Sequence, residues 1–371
     1  MTAGVVPFPY RTVAEISLRA ILKNLHVLRG ETGKEVLPVV KADAYGHGMV
    51  PVVRALVNRG AVRMVCVANL DEALELRRRF PQLGILVLSG FFPHQIDAYV
   101  RYRITPLVHT LAHLQSLVGR TKLPDVHLKV DSGLRRLGIQ PEELDAALQA
   151  VEQMGTKLSG IATHFADSED IRSHFVDRQI EVFEAALARF RERQLLNTDA
   201  RIHVANSAGA LRKKLSVSTA IRPGIALYGS APHPRWRDLL VPALTWKTRV
   251  LALKQLKKGD TVGYGRTYRA KKREKVAVLP IGYADGYRRA FSGRGEVLIG
   301  GKRVPVRGRV SMDLVTVDVT GLSVREGAEA ILIGKFGKES IFAEELADWA
   351  GTIAYEVFCG ISPRVPRIYL D

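Results

Sequence analysis

VLPVVKADAYGHG, residues 36–48, carries a β-branched apolar run up to a lysine and then breaks into a polar turn. That join separates two parallel-sheet folds. A doubly wound open sheet usually follows its first strand with a Gly-rich GxGxxG turn, and KADAYGHG is not one. A barrel strand delivers reactive residues at its C-terminal end, which is where Lys41 stands. Seven more apolar runs follow: MVCVA (64–68), GILVLSG (84–90), ITPLV (104–108), VHLKVD (126–131), LSGIATH (158–164), RIHVA (201–205) and TAIRP (219–223). Stretches between them, DEALELRRRF (71–80), PEELDAALQAVEQM (141–154) and FVDRQIEVFEAALARFRERQ (175–194), place apolar residues at helical spacing. Eight βα units in about 200 residues predict an α/β fold built on an N-terminal TIM (β/α)8 barrel.

From about residue 240 the texture changes. KVAVLPIGY (275–283), GEVLIGGKRVPVRGRV (295–310), LVTVDVTGL (314–322) and AEAILIG (328–334) alternate apolar with polar residues between Gly-containing turns. That pattern predicts a C-terminal antiparallel β domain, interrupted by a helix over AEELADWAG (343–351). The expected division is a barrel domain over 1–238 and a β domain over 239–371, with the first dozen or so residues able to pack on the latter.

At 371 residues the chain exceeds what one core usually organises. Hydrophobic content of 47% and charged content of 25% are those of a globular protein, which excludes disordered and fibrous classes. No apolar run is long enough to span a membrane, and MTAGVVPFPYRTVAEISLRA lacks the basic start and long apolar middle of a secretory signal. The two cysteines, Cys66 and Cys359, sit in apolar settings and read as buried thiols of a reducing cytoplasm. The net charge of +18 is uneven: residues 247–309 hold 18 Lys and Arg against 4 Asp and Glu. No zinc-finger spacing, RNP aromatic pattern or GxxG clamp accompanies that charge, so it reads as a solvated basic face rather than a nucleic-acid site, and no metal is expected.

The barrel strands end on Lys41, on Asp131 with Lys129 behind it, on His164, on Asn206–Ser207 and on Arg222–Pro223–Gly224–Ile225. A lysine closing an apolar strand must meet opposite charge or lose its proton, and a deprotonated lysine is what Schiff-base chemistry requires. In RPGIALYG (222–229), Gly224 permits close backbone approach, and the following amides suit a phosphate after the last strand. A rim lysine, a hydroxyl at Ser207 and an Arg–Gly loop together suggest a phosphate-bearing aldehyde cofactor. They do not name a reaction.

VVKADAYGHG (39–48) resembles the cofactor-lysine motif of the alanine racemases, fold-type III pyridoxal-phosphate enzymes. The resemblance continues through LKVDSGLRRLGI (128–139), THFADSED (163–170), HVANSAGA (203–210), RPGIALYG (222–229), VGYGRTY (262–268), IGYADGYRR (281–289), GEVLIGGKRVPVRGRVSMDLVTVDVT (295–320) and TIAYEVFCGISPRVPR (352–367), spanning nearly the whole chain in the family's order. It implies pyridoxal 5'-phosphate as cofactor and a head-to-tail homodimer whose active sites draw on both subunits. It implies a cytoplasmic enzyme that interconverts L- and D-alanine and supplies D-alanine to cell-wall peptidoglycan.

By motif position, Lys41 would hold the cofactor and act as the base for the D-enantiomer. Tyr264, contributed by the partner subunit, would be the base for the L-enantiomer, with His203 hydrogen-bonded to that tyrosine. Two opposed proton carriers are chemically sufficient for racemisation. Arg222 matches the arginine facing the pyridine nitrogen, and His164 the histidine packed on the ring. Tyr45, Ser207, Gly224, Ile225 and Tyr355 match phosphate-site positions. Arg136 and the backbone of the partner's Met312 match the holders of the substrate carboxylate, and Lys129 a lysine that many relatives carry as a carbamate. Tyr283 and Asp313 fall near the expected entrance.

Ser311, Leu314, Arg135 and Arg307 depart from the usual pattern. They bear on substrate range, and a broader-specificity racemase of the same fold type is the alternative reading. A decarboxylase of this fold type is usually longer and carries a Cys–Asp pair where this chain has Ser–Met–Asp (311–313).

Overall fold

In the computed structural model, which describes residues 10–213, 215 and 217–371, each of the eight apolar runs contributes a strand. After β1 (Thr12–Ser17) come β2 (Glu35–Val36), β3 (Met64–Val67), β4 (Gly84–Val87), β5 (Thr105–Val108), β6 (His127–Lys129), β7 (Leu158–Ala162), β8 (Leu196–His203) and β9 (Ala220–Ile221). Strands β2 to β9 pair in parallel in the order β2-β9-β8-β7-β6-β5-β4-β3. The ring closes just beyond β2. Val39 bridges Cys66 in parallel, the Val40 amide donates to the Cys66 carbonyl at 2.8 Å, and the Cys66 amide to the Pro38 carbonyl at 2.8 Å. Pro38 has no N–H to pair and sits where only its carbonyl is asked for.

The helices wrap this ring through apolar faces. In Phe175–Glu192 the buried positions are Val176, Gln179, Phe183, Ala186, Leu187 and Phe190, a repeat of three and four residues. Phe183 and Phe190 are fully buried, and each contributes roughly 1.5–3 kcal/mol by leaving water. The helix Leu70–Arg79 starts on Asn69, whose side chain accepts the Glu72 amide, and ends on three arginines that suit its negative pole.

The chain divides into two compact units: Ile21–Tyr45 with Met49–Val241, and the described residues up to Ala20 with Gly46–Gly48 and Pro242–Asp371. In the second unit β1 pairs antiparallel with β10 (Leu244–Arg249) and parallel with Arg367–Leu370. Next to β10 lie Glu329–Phe336, Glu296–Ile299 and Lys302–Pro305, all antiparallel. Ala252–Leu256, Glu274–Leu279 and Val315–Asp318 form a separate antiparallel sheet. The unit's core centres on Trp246, Tyr287 and Phe291, all fully buried and in ring contact. The helix Ala343–Ala350 stops at Gly351, whose left-handed φ of 66° frees the chain to turn away.

One sequence expectation is corrected here. Cys66 is buried, and burial pushes its thiol up to about 12, but Cys359 is exposed. It ends the helix Ala354–Cys359, where Val357 and Phe358 occupy the inward face and the next position turns outward.

Candidate active site

Past Val40 the backbone leaves the barrel wall and turns the wrong way for L-residues. Ala42, Asp43, Ala44 and Tyr45 all adopt left-handed helical angles, with φ from 52° to 54°. Each such residue costs roughly 1–2 kcal/mol, so the turn survives only where its surroundings hold it. The Ala44 amide donates to the Val40 carbonyl at 2.8 Å, and Asp43 Oδ1 accepts the Met49 amide at 2.7 Å. The Tyr45 ring lies 5.1 Å from that of Tyr228, whose hydroxyl donates to the Val39 carbonyl. The half-buried Lys41 stands at the head of this turn, on the barrel rim.

Beside this turn in the ring, β9 and β8 build a cradle of donors. Asn206 caps the short helix Ser207–Leu211 through its side chain, which fixes Ser207 at the first helical position. Ser207 Oγ accepts the amides of Gly224 (3.1 Å) and Ala226 (3.2 Å), leaving its own proton to donate. A Cβ on residue 224 would fall 2.2 Å from Tyr45 Oη. Glycine there is what admits the Tyr45 hydroxyl over the loop that leads into Ile225. Two hydroxyls and a run of backbone amides are a donor set suited to phosphate.

Arg222, the residue after β9, is buried at 5% exposure. Its Nη1 donates to His203 Nδ1 at 2.6 Å and to the His203 carbonyl; Nη2 donates to the Thr163 carbonyl at 2.6 Å and to His164 Nδ1 at 3.2 Å. Among the described residues every partner of this cation is neutral, so an acceptor such as a pyridine nitrogen fits beside it. Burial pulls the guanidinium down to about 10, which leaves it protonated at neutral pH. Because His203 Nδ1 accepts, its Nε2 carries the proton and donates to His127 Nδ1 at 2.8 Å. Among the described residues His127 Nε2, buried, has no partner. Burial, followed by Arg201 and Arg222, lowers His127 to about 3. Burial and then Arg222 hold His203 and His164 well below the usual histidine range. Two neutral imidazoles thus contact the cation, and a third stands behind His203.

This geometry corrects the role expected for His203. It is fully buried, and both its ring nitrogens are engaged, by Arg222 and by His127. It cannot also bond a tyrosine. His164 is half-buried, and among the described residues Arg222 is the partner of its Nδ1. His127 was not singled out in the sequence, although it stands two residues before Lys129 and therefore on the same face of β6.

Lys129 is buried, and its Nζ donates to the Leu137 carbonyl. Burial outweighs the pull of Asp131, and with Arg222 and Arg136 it brings the ammonium down to about 8. Arg136 is exposed and, among the described residues, its side chain has no hydrogen-bond or ion-pair partner.

The remaining expected residues lie in the C-terminal unit. Tyr264 is 72% exposed on the turn Tyr264–Arg266, between Gly263 and Gly265, both at positive φ. Met312 is 53% exposed, and its carbonyl accepts the Ala284 amide at 3.0 Å. Leu314, two residues on, and Tyr283, whose amide donates to the Ser311 carbonyl at 3.0 Å, are exposed as well, and Asp313 is ion-paired with Arg364 at 2.7 Å. Tyr355 is half-buried on the helix Ala354–Cys359. Arg307, one of the departures, is engaged within its own unit: it pairs with Asp318 at 2.8 Å and lies 4.7 Å over the Tyr268 ring.

Comparison with known proteins follows the same two units. Residues 16–232 match the family model described as alanine racemase, N-terminal domain, and residues 243–369 that of alanine racemase, C-terminal domain. The chain is 39% identical over 372 residues to an alanine racemase of Halothermothrix orenii, covering 96% of each chain. It is 41% identical to one of Carboxydothermus hydrogenoformans, covering 96% of this chain and 99% of the relative. Among solved structures, the alanine racemase of Bacillus anthracis with bound L-Ala-P is similar at a TM-score of 0.89 and 37% identity, with 99% of this chain and 96% of that chain covered. The alanine racemase of Bartonella henselae with covalently bound pyridoxal phosphate is similar at 0.88 and 29%, covering 98% and 100%.

Proposed function

The chain belongs to the alanine racemase family, and from that premise we propose that it interconverts L- and D-alanine by moving one proton between two opposed bases, Lys41 and the partner subunit's Tyr264. It is an alanine racemase that uses pyridoxal 5'-phosphate. Bound, the cofactor takes up the substrate amino group and draws off the electrons left when the α-proton departs.

The observation that carries this reading is Arg222, a buried cation whose hydrogen-bond partners among the described residues are all neutral. A guanidinium beside the pyridine nitrogen stays protonated and keeps that nitrogen from taking a proton. With Arg222 there, charge at the substrate Cα would be less delocalised, which would favour return of the proton to Cα. Tyr45, Ser207 and the loop through Gly224 and Ile225 would hold the phosphate, joined by Tyr355.

Lys41, freed from the cofactor when substrate binds, would carry a proton on one face. The partner's Tyr264 would serve the other. A tyrosine of ordinary pKa near 10 needs help to lose its proton. His164 accepts from Arg222 at Nδ1, so its Nε2 bears hydrogen and can donate to a phenolate. Arg136 and the partner's Met312 backbone would hold the substrate carboxylate. Lys129, partly neutral near pH 8, is the form that takes up CO2 as a carbamate and could then anchor Arg136. The assembly is a homodimer acting in the cytoplasm, with D-alanine going to peptidoglycan.

Borohydride reduction of the yellow enzyme followed by peptide mass spectrometry tests the site. The adduct is expected on Lys41; an adduct on another lysine contradicts the assignment. Ser311, Leu314 and Arg135 bear on the broader-specificity alternative, and a screen of single L-amino acids for loss of optical activity separates the two.

A further inference from the structure

The carboxylate of Glu72 spans two barrel loops. Its Oε1 accepts the amide of Ala42 at 2.7 Å, and its Oε2 the amide of Ala68 at 2.7 Å. Ala42 follows Lys41 directly, and Ala68 follows the last residue of β3. Glu72 is the third residue of its helix, where a capping glutamate ordinarily reaches back to its own cap amide. Here the cap is Asn69, and neither oxygen goes to it. One goes to the residue before the cap, the other across to the lysine loop. The Ala42 amide belongs to the peptide that leaves Lys41, so fixing its direction fixes the backbone angle from which the lysine side chain departs. It is also the first peptide of the left-handed run 42–45.

We propose that Glu72 is a positioning residue for Lys41: its carboxylate pins the Ala42 and Ala68 amides together, and so aims the lysine amine into the barrel mouth. The proposal rests on Lys41 being the cofactor lysine. Glu72 touches no reacting atom; it acts through the backbone. Among the turn's ties, Ala44 to Val40 and Asp43 to Met49 hold its later residues, and Glu72 is the tie at its first amide.

The test compares wild type, Glu72→Ala, Glu72→Gln and Glu72→Asp. Three quantities are read: amide hydrogen exchange of peptides covering 39–48 and 64–70, the rate at which added pyridoxal phosphate forms a borohydride-fixed adduct on Lys41 of cofactor-stripped enzyme, and kcat against KM for L-alanine. In Glu72→Ala, exchange at Ala42 and Ala68 should rise ~100-fold as local opening becomes easy. Adduct formation should slow ~10-fold, and kcat should fall ~10-fold or more with KM nearly constant, because a misaimed base costs the chemical step rather than binding. Glu72→Gln keeps one accepting oxygen and should fall between. Glu72→Asp, which keeps the charge on a shorter arm, should restore exchange protection at one amide. If Glu72→Ala fails to fold, Glu72→Gln decides by the same readouts. Exchange, adduct rate and kcat all at wild-type levels overturn the clamp, as does a loss that tracks only global unfolding. An adduct away from Lys41 in the wild-type enzyme overturns the reading of Lys41 and the clamp with it; an adduct at Lys41 indifferent to Glu72 overturns the clamp alone.

Discussion

The polar cluster around Arg222 in the barrel and the exposed large side chains of the C-terminal unit stand in opposite states. In the barrel, Arg222, His203, His127 and Lys129 are buried, and each has a named hydrogen-bond partner. In the C-terminal unit, Tyr264, Tyr283, Met312, Leu314 and Ile353 are large apolar or aromatic side chains left exposed. A preorganised polar cluster needs nothing more to hold its shape. Exposed large side chains are the raw material of an interaction surface. The contrast is the one the proposed shared site calls for: one half held by contacts within the subunit, the other left open to a partner.

The sharpest attack on the finished half is Arg222→Glu. A carboxylate there would favour a protonated ring nitrogen and send more charge to the cofactor. Racemisation should fall by ~10²–10³, the scale of losing one designed electrostatic partner. Pyruvate from transamination should become detectable, together with long-wavelength absorption during turnover. A variant that binds cofactor normally yet shows neither change would return Arg222 to a packing role.

Acid should unsettle the barrel next. His127, His164 and His203 have folded pKa values depressed below the unfolded value near 6.5. Below that pH the unfolded chain binds protons that the folded chain refuses. Stability is therefore whole above about pH 6.5 and drains as pH falls toward 3, by up to ~1.4 kcal/mol per pH unit for each histidine. Denaturant midpoints from pH 7.5 to 5 should drop, and His127→Phe should flatten the slope. A flat profile in the wild-type chain would show that the imidazoles are not held neutral by burial.

Smaller still is the effect expected at Lys129. With its ammonium lowered to about 8, CO2 removal at pH 8 should lower kcat/KM several-fold, and bicarbonate should restore it. No response to CO2 would leave Lys129 as a buried amine bonded to the Leu137 carbonyl.

Much of this was legible because chemistry and secondary structure share a period. The eight barrel strands announce themselves as β-branched runs, and Lys41, Lys129, His164 and Arg222 stand at or near their ends. What stayed hidden depends on contacts between distant segments. The sequence TVAEIS of β1 alternates too weakly to say that it lies between β10 and Arg367–Leu370. Nothing in KADAY signals left-handed angles, since no glycine falls among residues 42–45. His127 reads alone as a core histidine, and only its 2.8 Å contact with His203 makes it part of the chain of imidazoles. Glu72 reads as an ordinary first-turn acid until Ala42 is found beside it. Cys359 misleads because apolar neighbours do not fix which way a helix end faces.

The measurement that reaches furthest into the account is subunit complementation. Lys41→Ala and Tyr264→Phe chains, differently tagged, are each nearly inactive toward L-alanine, then mixed under exchange conditions and purified as heterodimers. If Tyr264 acts on the partner's barrel, each heterodimer holds one site with both bases intact, and the exchanged equal mixture should regain about a quarter of wild-type activity. If heterodimers form, as double-tag purification reports, and activity stays at the level of the parents, the two bases belong to one chain and the shared-site reading is wrong.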